Sequence, residues 1–141
     1  MSNTRTPDNK LLAIAPVFFV ADIHRAASYY RDMLGLAFDR LWGEPPNFCM
    51  VRRQGLTIML KAIPDKSRIR PNGAANDIWD AYLWIEDADA LYAEFASRGA
   101  KIHYPPEDRL YYGNREFAVS DPDGYVTAFG HDIEAKKKRM G

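Results

Sequence analysis

Apolar residues recur at helical spacing twice along this chain, and each time the pattern opens just after an aspartate and closes just before a glycine. After Asp22 the apolar positions are Ile23, Ala26, Ala27, Tyr30 and Leu34, and after Asp87 they are Ala88, Leu91, Tyr92, Phe95 and Ala96. Each set falls along one face of an α-helix, so both segments are predicted to be amphipathic helices. Aspartate at such a position accepts hydrogen bonds from the unpaired N–H groups of the first turn, and Gly35 or Gly99 supplies a left-handed residue beyond the last. An apolar run precedes each aspartate, and downstream of each glycine the period shortens to that of strands. Strands are expected over Asn47 to Arg52, Leu56 to Lys61, Arg115 to Ser120 and Tyr125 to Gly130, with shorter ones near Ala37 to Trp42 and Ala100 to Tyr104. The turns Arg53-Gln54-Gly55 and Asp121-Pro122-Asp123-Gly124 carry residues suited to fixed or positive φ.

The chain therefore reads as one unit written twice, each half running strand, helix, strand, strand, strand. We expect a flexible N-terminal arm over 1–10, a first module over 11–63 and a polar surface connection over 64–76. A second module over 77–133 and a basic tail over 134–141 complete the division.

A chain of 141 residues can bury a proper core in one globular domain or two small fused modules, and 47% hydrophobic content leaves little room for extensive disorder. No apolar run approaches the roughly 20 residues needed to span a bilayer, and Met1 to Lys10 has no apolar stretch suited to secretion, so a cytoplasmic protein is expected. Nineteen basic residues against nineteen acidic ones create no global field for nucleic acid or an anionic membrane, and neither is expected as a partner. The cluster Lys136 to Arg139 at the chain end reads as a solvated tail. Cys49 lies in an alternating strand, where it reads as a buried small hydrophobe. The chain has no Gly-x-Ser-x-Gly, no phosphate-cradling glycine loop and no Cys-x-x-Cys.

Three stretches together resemble the vicinal oxygen chelate superfamily, which includes glyoxalase I, extradiol dioxygenases, fosfomycin resistance enzymes and bleomycin resistance proteins. They are Val20-Ala21-Asp22-Ile23, the run Tyr29-Tyr30-Arg31-Asp32-Met33-Leu34-Gly35-Leu36, and Tyr112-Gly113-Asn114-Arg115-Glu116-Phe117-Ala118-Val119-Ser120-Asp121-Pro122-Asp123-Gly124-Tyr125. The Arg-Glu-Phe followed by Asp-Pro-Asp-Gly is most similar to the bleomycin-resistance-like branch. The resemblance implies an α+β fold in which two tandem βαβββ modules curl an open mixed sheet around a cleft, with helices outside. Strand alternation then sorts the side chains. Pro16, Phe18, Val20, Leu56, Ile58, Leu60, Leu83, Ile85 and Phe129 are expected under the helices, and Val17, Phe19, Thr57, Met59, Lys61, Asp80, Tyr82, Trp84 and Ala128 toward the cleft.

Metal-using members of that superfamily place ligands on the first and fourth strands of each unit. The resemblance carries those positions to Ala15 and Asp80, seven residues before the helix-opening aspartates, and to Met59 and Ala128, four after the turn glycines. A divalent ion that polarises oxygen needs three or four converging imidazole or carboxylate donors, and this set offers one carboxylate, one thioether and two methyl groups. No metal, no cofactor and no catalytic residue is therefore assigned. His24 lies in a helix first turn, His103 in a short strand and His131 after the last strand, with no two-His ligand spacing among them.

Flat apolar side chains dominate the expected lining, with Phe19, Tyr82 and Trp84 on strands, Phe48, Tyr111 and Tyr112 on rim segments, and Trp42 and Trp79 nearby. Such rings stack on planar ligands, while Met59, Lys61 and Asp80 contribute the remaining contacts. Arg115 and Glu116 point to opposite faces of a regular strand, and Arg115 is expected in the cleft as an anion or carbonyl contact. The expected function is metal-free sequestration of a small planar or aromatic molecule by a homodimer. The alternative is a metal-dependent lyase or dioxygenase with displaced ligands drawn from Glu116, His103 or Asp80.

Overall fold

A computed structural model of the chain describes residues 9–76 and 78–140. Met1 to Asp8 of the expected arm, Asp77 and the terminal Gly141 lie outside the described residues. The first module contains β1 (Val17–Val20), α1 (Ile23–Leu34), β2 (Leu41–Trp42), β3 (Phe48–Arg53) and β4 (Leu56–Ala62). A short 3-10 turn at Lys66–Arg68 and α2 (Asn72–Asn76) occupy the connection. The second module contains β5 (Ala81–Trp84), α3 (Ala88–Arg98), β6 (Lys101–Arg109), β7 (Asn114–Ser120) and β8 (Val126–Asp132), followed by α4 (Ile133–Met140).

Both long helices begin and end where the sequence signals them. The Asp22 side chain accepts from the N–H groups of His24 and Arg25, and Asp87 accepts from that of Ala90. Gly35 and Gly99 close the helices in the left-handed conformation, at φ of 67° and 90°. The strands form two separate four-stranded sheets of identical topology, β1-β4-β3-β2 and β5-β8-β7-β6. In each, the first strand runs parallel to the fourth and the remaining pairs are antiparallel. The class is α+β with tandem βαβββ modules, and neither sheet closes into a barrel.

Each helix covers one face of its own sheet, and α1 also packs on α3. One core results, built from Phe18, Val20, Val51 and Leu60 of the first sheet, Phe117, Val119 and Phe129 of the second, and the apolar stripes of both helices. The other face of each sheet points away from that core. The Asp-Pro-Asp-Gly turn fastens the modules together. Asp121 accepts a 2.7 Å hydrogen bond from the Tyr30 hydroxyl, Asp123 accepts one of 3.0 Å from the Ala21 N–H, and the Phe18 and Tyr125 rings stack at 4.3 Å.

Three local expectations need correction. β6 extends five residues beyond Tyr104 through Pro105 and Pro106, because it is the outer strand of its sheet, where missing N–H donors cost no ladder bonds, and register shifts absorb the prolines. β2 shrinks to two residues, with a single bridge between Ala37 and Arg52 upstream of it. Leu56 is 48% exposed rather than packed under a helix, since it is the first residue after the tight turn. The basic tail forms a helix on which Lys137, Lys138 and Arg139 stay exposed. The Asp132 side chain caps α4 through the Ala135 N–H, while Lys136 reaches Asp87 at 3.4 Å and Arg139 donates to the Glu86 carbonyl. Among the described residues no helix is long and apolar enough to cross a membrane.

Burial pushes the Asp121 carboxyl up to about 6, against the hydrogen bonds from Tyr30, Tyr125 and Asp123 that favour its charged form. A carboxyl whose folded pKa lies above its unfolded value contributes stability at low pH and loses it as pH rises through the folded value. Urea unfolding between pH 4 and 7 should therefore show the native protein losing stability relative to Asp121→Asn, by on the order of 3 kcal/mol across the range. Parallel pH profiles for the two proteins would contradict this assignment.

Candidate functional site

Strand register builds the open face of the first sheet as rows. One row crosses all four strands, because Phe19 lies opposite Lys61, Lys61 opposite Phe48, and Phe48 opposite Trp42. Their neighbours Phe18, Leu60 and Cys49 point the other way into the core, which fixes the face of the row. Met59 lies in the adjoining row between Val17 and Met50. Trp42 and Phe48 meet ring to ring at 5.8 Å, and the Lys61 ammonium donates to the Asn47 side-chain oxygen at 2.9 Å. Phe19, Trp42, Phe48, Met59 and Lys61 are thus brought together on one half-buried surface.

The second sheet's open face is organised around Glu116, which is fully buried. Its carboxylate accepts hydrogen bonds from the hydroxyls of Tyr82, Tyr104 and Tyr112, the first at 3.0 Å, and the Arg109 guanidinium lies at 3.5 Å. A second layer orients those phenols, since the Trp79 indole donates to Tyr104 and the Asn114 amide to Tyr82, each at 2.8 Å. Burial and the adjacent Glu116 charge raise all three hydroxyls above the usual phenol range, that of Tyr104 to about 12, so they remain donors at neutral pH. Tyr82 contacts Trp79 at 4.8 Å and Trp84 at 4.6 Å between ring centroids, giving a continuous aromatic wall.

Arg115 is not part of that wall. It lies on the opposite strand face and is held by Asp89 at 2.8 Å and Asp108 at 2.9 Å, while Glu116 takes the open side. The choice follows from neighbours, because Phe117 and Val119 on the face of Arg115 belong to the core under α3. Asp80 is also committed, accepting from the N–H groups of Asn72 at 2.7 Å and Val126 at 2.9 Å, one per oxygen. Tyr111 is 92% exposed and touches the ring of Tyr112 at the hairpin tip. Tyr104 and Arg109 are site residues that no sequence motif marks, and Asn114 lies in the Tyr112 to Tyr125 stretch without being singled out there. Gly130 is their one visible trace, because a side chain there would collide with the Tyr82 hydroxyl as it crosses the strand to Glu116.

The residues at the family's metal positions do not fit a divalent ion. Ala15 and Ala128 carry no donor, Met59 offers a thioether, and both oxygens of Asp80 are already engaged by backbone N–H groups. Among the described residues no group of three or more His, Cys, Asp or Glu side chains converges. His131 accepts from the Ala88 N–H at 2.9 Å, and His103 faces Ser120 at 3.5 Å.

A hollow of about 470 Å³ adjoins the second face, lined by Trp79, Tyr104, Arg109, Tyr111, Tyr112 and His103 among others, and by no first-module residue. A larger hollow of about 610 Å³ lies between the modules on the helix side. Its walls include Leu36, Leu56, Trp84, Phe95 and Phe129, with the charged groups Glu86, Asp87, Arg53 and Glu94, of which the last two pair with each other at 2.8 Å. Neither of these two hollows is lined by Phe19, Trp42 or Phe48 of the first face.

This arrangement is that of a known superfamily. The chain belongs to the Glyoxalase/Bleomycin resistance protein/Dioxygenase superfamily, whose model matches residues 11–129. Among solved structures it is similar to the bleomycin-binding protein from bleomycin-producing Streptomyces verticillus complexed with copper(II)-bleomycin, with 26% identity, a TM-score of 0.65, and coverage of 86% of this chain and 96% of that one. TnmS3, an antibiotic binding protein from a Streptomyces species, shares 20% identity at a TM-score of 0.63, covering 88% of this chain and 99% of that one. Lactoylglutathione lyase from Agrobacterium tumefaciens shares 15% identity at 0.63, covering 87% and 95%. No curated protein matches the chain in sequence.

Gly130→Ala should force Tyr82 off Glu116 and Asn114 and destabilise the fold by about 1–3 kcal/mol in urea unfolding. In a Tyr82→Ala background the same change should cost much less. Equal losses in both backgrounds would show that the glycine serves something other than this contact.

Proposed function

We propose that this protein binds a small planar or aromatic molecule on its open aromatic faces and holds it chemically unchanged, without a catalytic metal. One observation carries this reading. Both open faces present runs of rings, Phe19, Phe48 and Trp42 on one and Trp79, Tyr82 and Trp84 on the other, while the positions for metal donors hold methyl groups, a thioether and an occupied carboxylate. Phe19, Trp42, Phe48, Met59 and Lys61 form the first contact surface, and Tyr82, Trp84 and Tyr112 the second, with Tyr111 at its rim. The bleomycin-binding protein and TnmS3 support the same reading by likeness, as proteins whose names record binding of antibiotics. Capture of a polycation is not part of the proposal, because a formal net charge of zero supplies no attraction for one.

The assembly we infer is a homodimer. Leu11, Leu12 and Ile14 are 101%, 91% and 92% exposed, Trp84 is 66% exposed, and β1 and β5 each end their sheets with an unpaired edge. Apolar side chains and free strand edges of this kind are covered in stable proteins, and a second copy supplies the cover with closed symmetry.

All three tryptophans lie on the open faces, so intrinsic fluorescence reads them directly. Chelator-treated protein should show saturable quenching by members of a panel of planar compounds, with Kd in roughly the micromolar range. It should sediment at twice the 16.1 kDa chain mass. A flat response across the panel, or one tightly held transition metal per chain in purified protein, would count against the proposal.

A further inference from the structure

Some arginines of the molecule are paired with acids, and the cations around the first open face are not. Arg31, Arg53, Arg98, Arg109 and Arg115 each meet a carboxylate at 2.8 to 3.1 Å. Arg40, Arg52, Lys61 and Arg68 do not; among the described residues none of the four has a carboxylate oxygen within 4.0 Å. These four gather around the row of rings already described. The Arg68 guanidinium lies 5.2 Å from the centroid of Phe19, Arg40 lies 5.2 Å from that of Trp42, and Lys61 sits in the row between Phe19 and Phe48. Arg52 occupies the same face of β3 two rows away, donating to the Thr57 hydroxyl at 3.3 Å and approaching the Met50 sulfur at 3.2 Å. Asp65, the acid beside Arg68 in the chain, is turned to the hydroxyl and N–H of Ser67.

In the row itself Lys61 stands between Phe19 and Phe48, Phe48 meets Trp42 directly, and Arg40 and Arg68 flank the two ends without a direct carboxylate partner among the described residues. Neighbouring strands are about 4.8 Å apart, so a flat ligand laid over Phe48 brings a substituent on its edge within reach of Lys61. A molecule that is neutral overall then carries a local positive field on one aromatic surface. We infer that the first open face is a subsite for a planar organic anion, an aromatic carboxylate or sulfonate, whose ring stacks on Phe19, Phe48 or Trp42 and whose charge is met by Lys61 with Arg52 or Arg68. The inference rests on the planar-ligand reading proposed above and adds to it the sign of the charge and the face that reads it. Arginine over an aromatic ring is suited to this task, since stacking leaves the edge of its guanidinium donors free for an oxyanion.

The test uses three probes of one shape, naphthalene-2-sulfonate, naphthalene-2-sulfonamide and 2-naphthylmethylammonium, titrated calorimetrically against the intact protein at low and at high salt. The sulfonate should bind about tenfold more tightly than the neutral sulfonamide at low salt, the ammonium least tightly, and the preference should shrink as salt is added. Lys61→Met keeps the length of the side chain and should remove most of the preference, read as the ratio of sulfonate to sulfonamide affinity; Arg52→Gln should reduce that ratio without touching the row. Equal affinity for all three probes, or a preference intact in both variants, would overturn the inference and leave planar binding standing. Failure of every probe to bind would remove the planar-ligand reading as well.

Discussion

The clasp between the Asp-Pro-Asp-Gly turn of the second module and the Ala21 to Tyr30 segment that leads into and through α1 in the first is the constraint on which the rest of the molecule depends. Tyr30 and the Ala21 N–H donate to Asp121 and Asp123, and the Tyr29 hydroxyl reaches the Ser120 carbonyl at 2.7 Å. These bonds hold α1 against α3 and let the covered faces of both sheets share one core. A buried carboxylate meeting a buried phenol is costly to break, because either partner alone would be left desolvated and unpaired. The turn therefore decides where the open faces point. Both are turned outward, and each has to make a surface of its own.

The two surfaces solve that problem with different chemistry. The first uses strand register alone, lining up Phe19, Lys61, Phe48 and Trp42 so that one cation lies between Phe19 and the Phe48–Trp42 pair. The second uses a buried carboxylate as an anchor, and Glu116 draws Tyr82, Tyr104 and Tyr112 inward so that their rings, with Trp79 and Trp84, form one wall. Glycine at position 130 is what allows Tyr82 to cross its neighbour strand and reach that anchor.

Much of this was legible in the chain. The aspartates and glycines that bound α1 and α3 marked both helices, and period-two alternation sorted Phe18, Val20, Ile58 and Leu60 from Phe19, Met59 and Lys61 correctly. Local rules suffice there because caps and alternation act over a few residues. Arg115 illustrates the limit. Alternation showed that Arg115 and Glu116 face opposite ways, yet which of them lies inside was settled by Phe117 and Val119 meeting α3 and by three tyrosines arriving from elsewhere. Asp80 was read as a ligand contact because its two backbone donors come from Asn72 and Val126, the latter 46 residues away in sequence. The α4 helix escaped notice for a similar reason, since its cations are stabilised by Asp87 and Glu86 at the start of α3.

We propose rings on the open faces, and not a coordinated ion, as what this protein offers a ligand. Amide and side-chain NMR of chelator-treated, isotope-labelled protein during titration with a planar ligand tests it most directly. The account predicts shifts concentrated at Phe19, Trp42, Phe48 and Lys61, or at Tyr82 and Trp84, with no change in affinity when divalent cations are restored. Binding that appears only after a metal is added, or shifts centred on Asp80 and Ala128 with the aromatic rows unmoved, would contradict it.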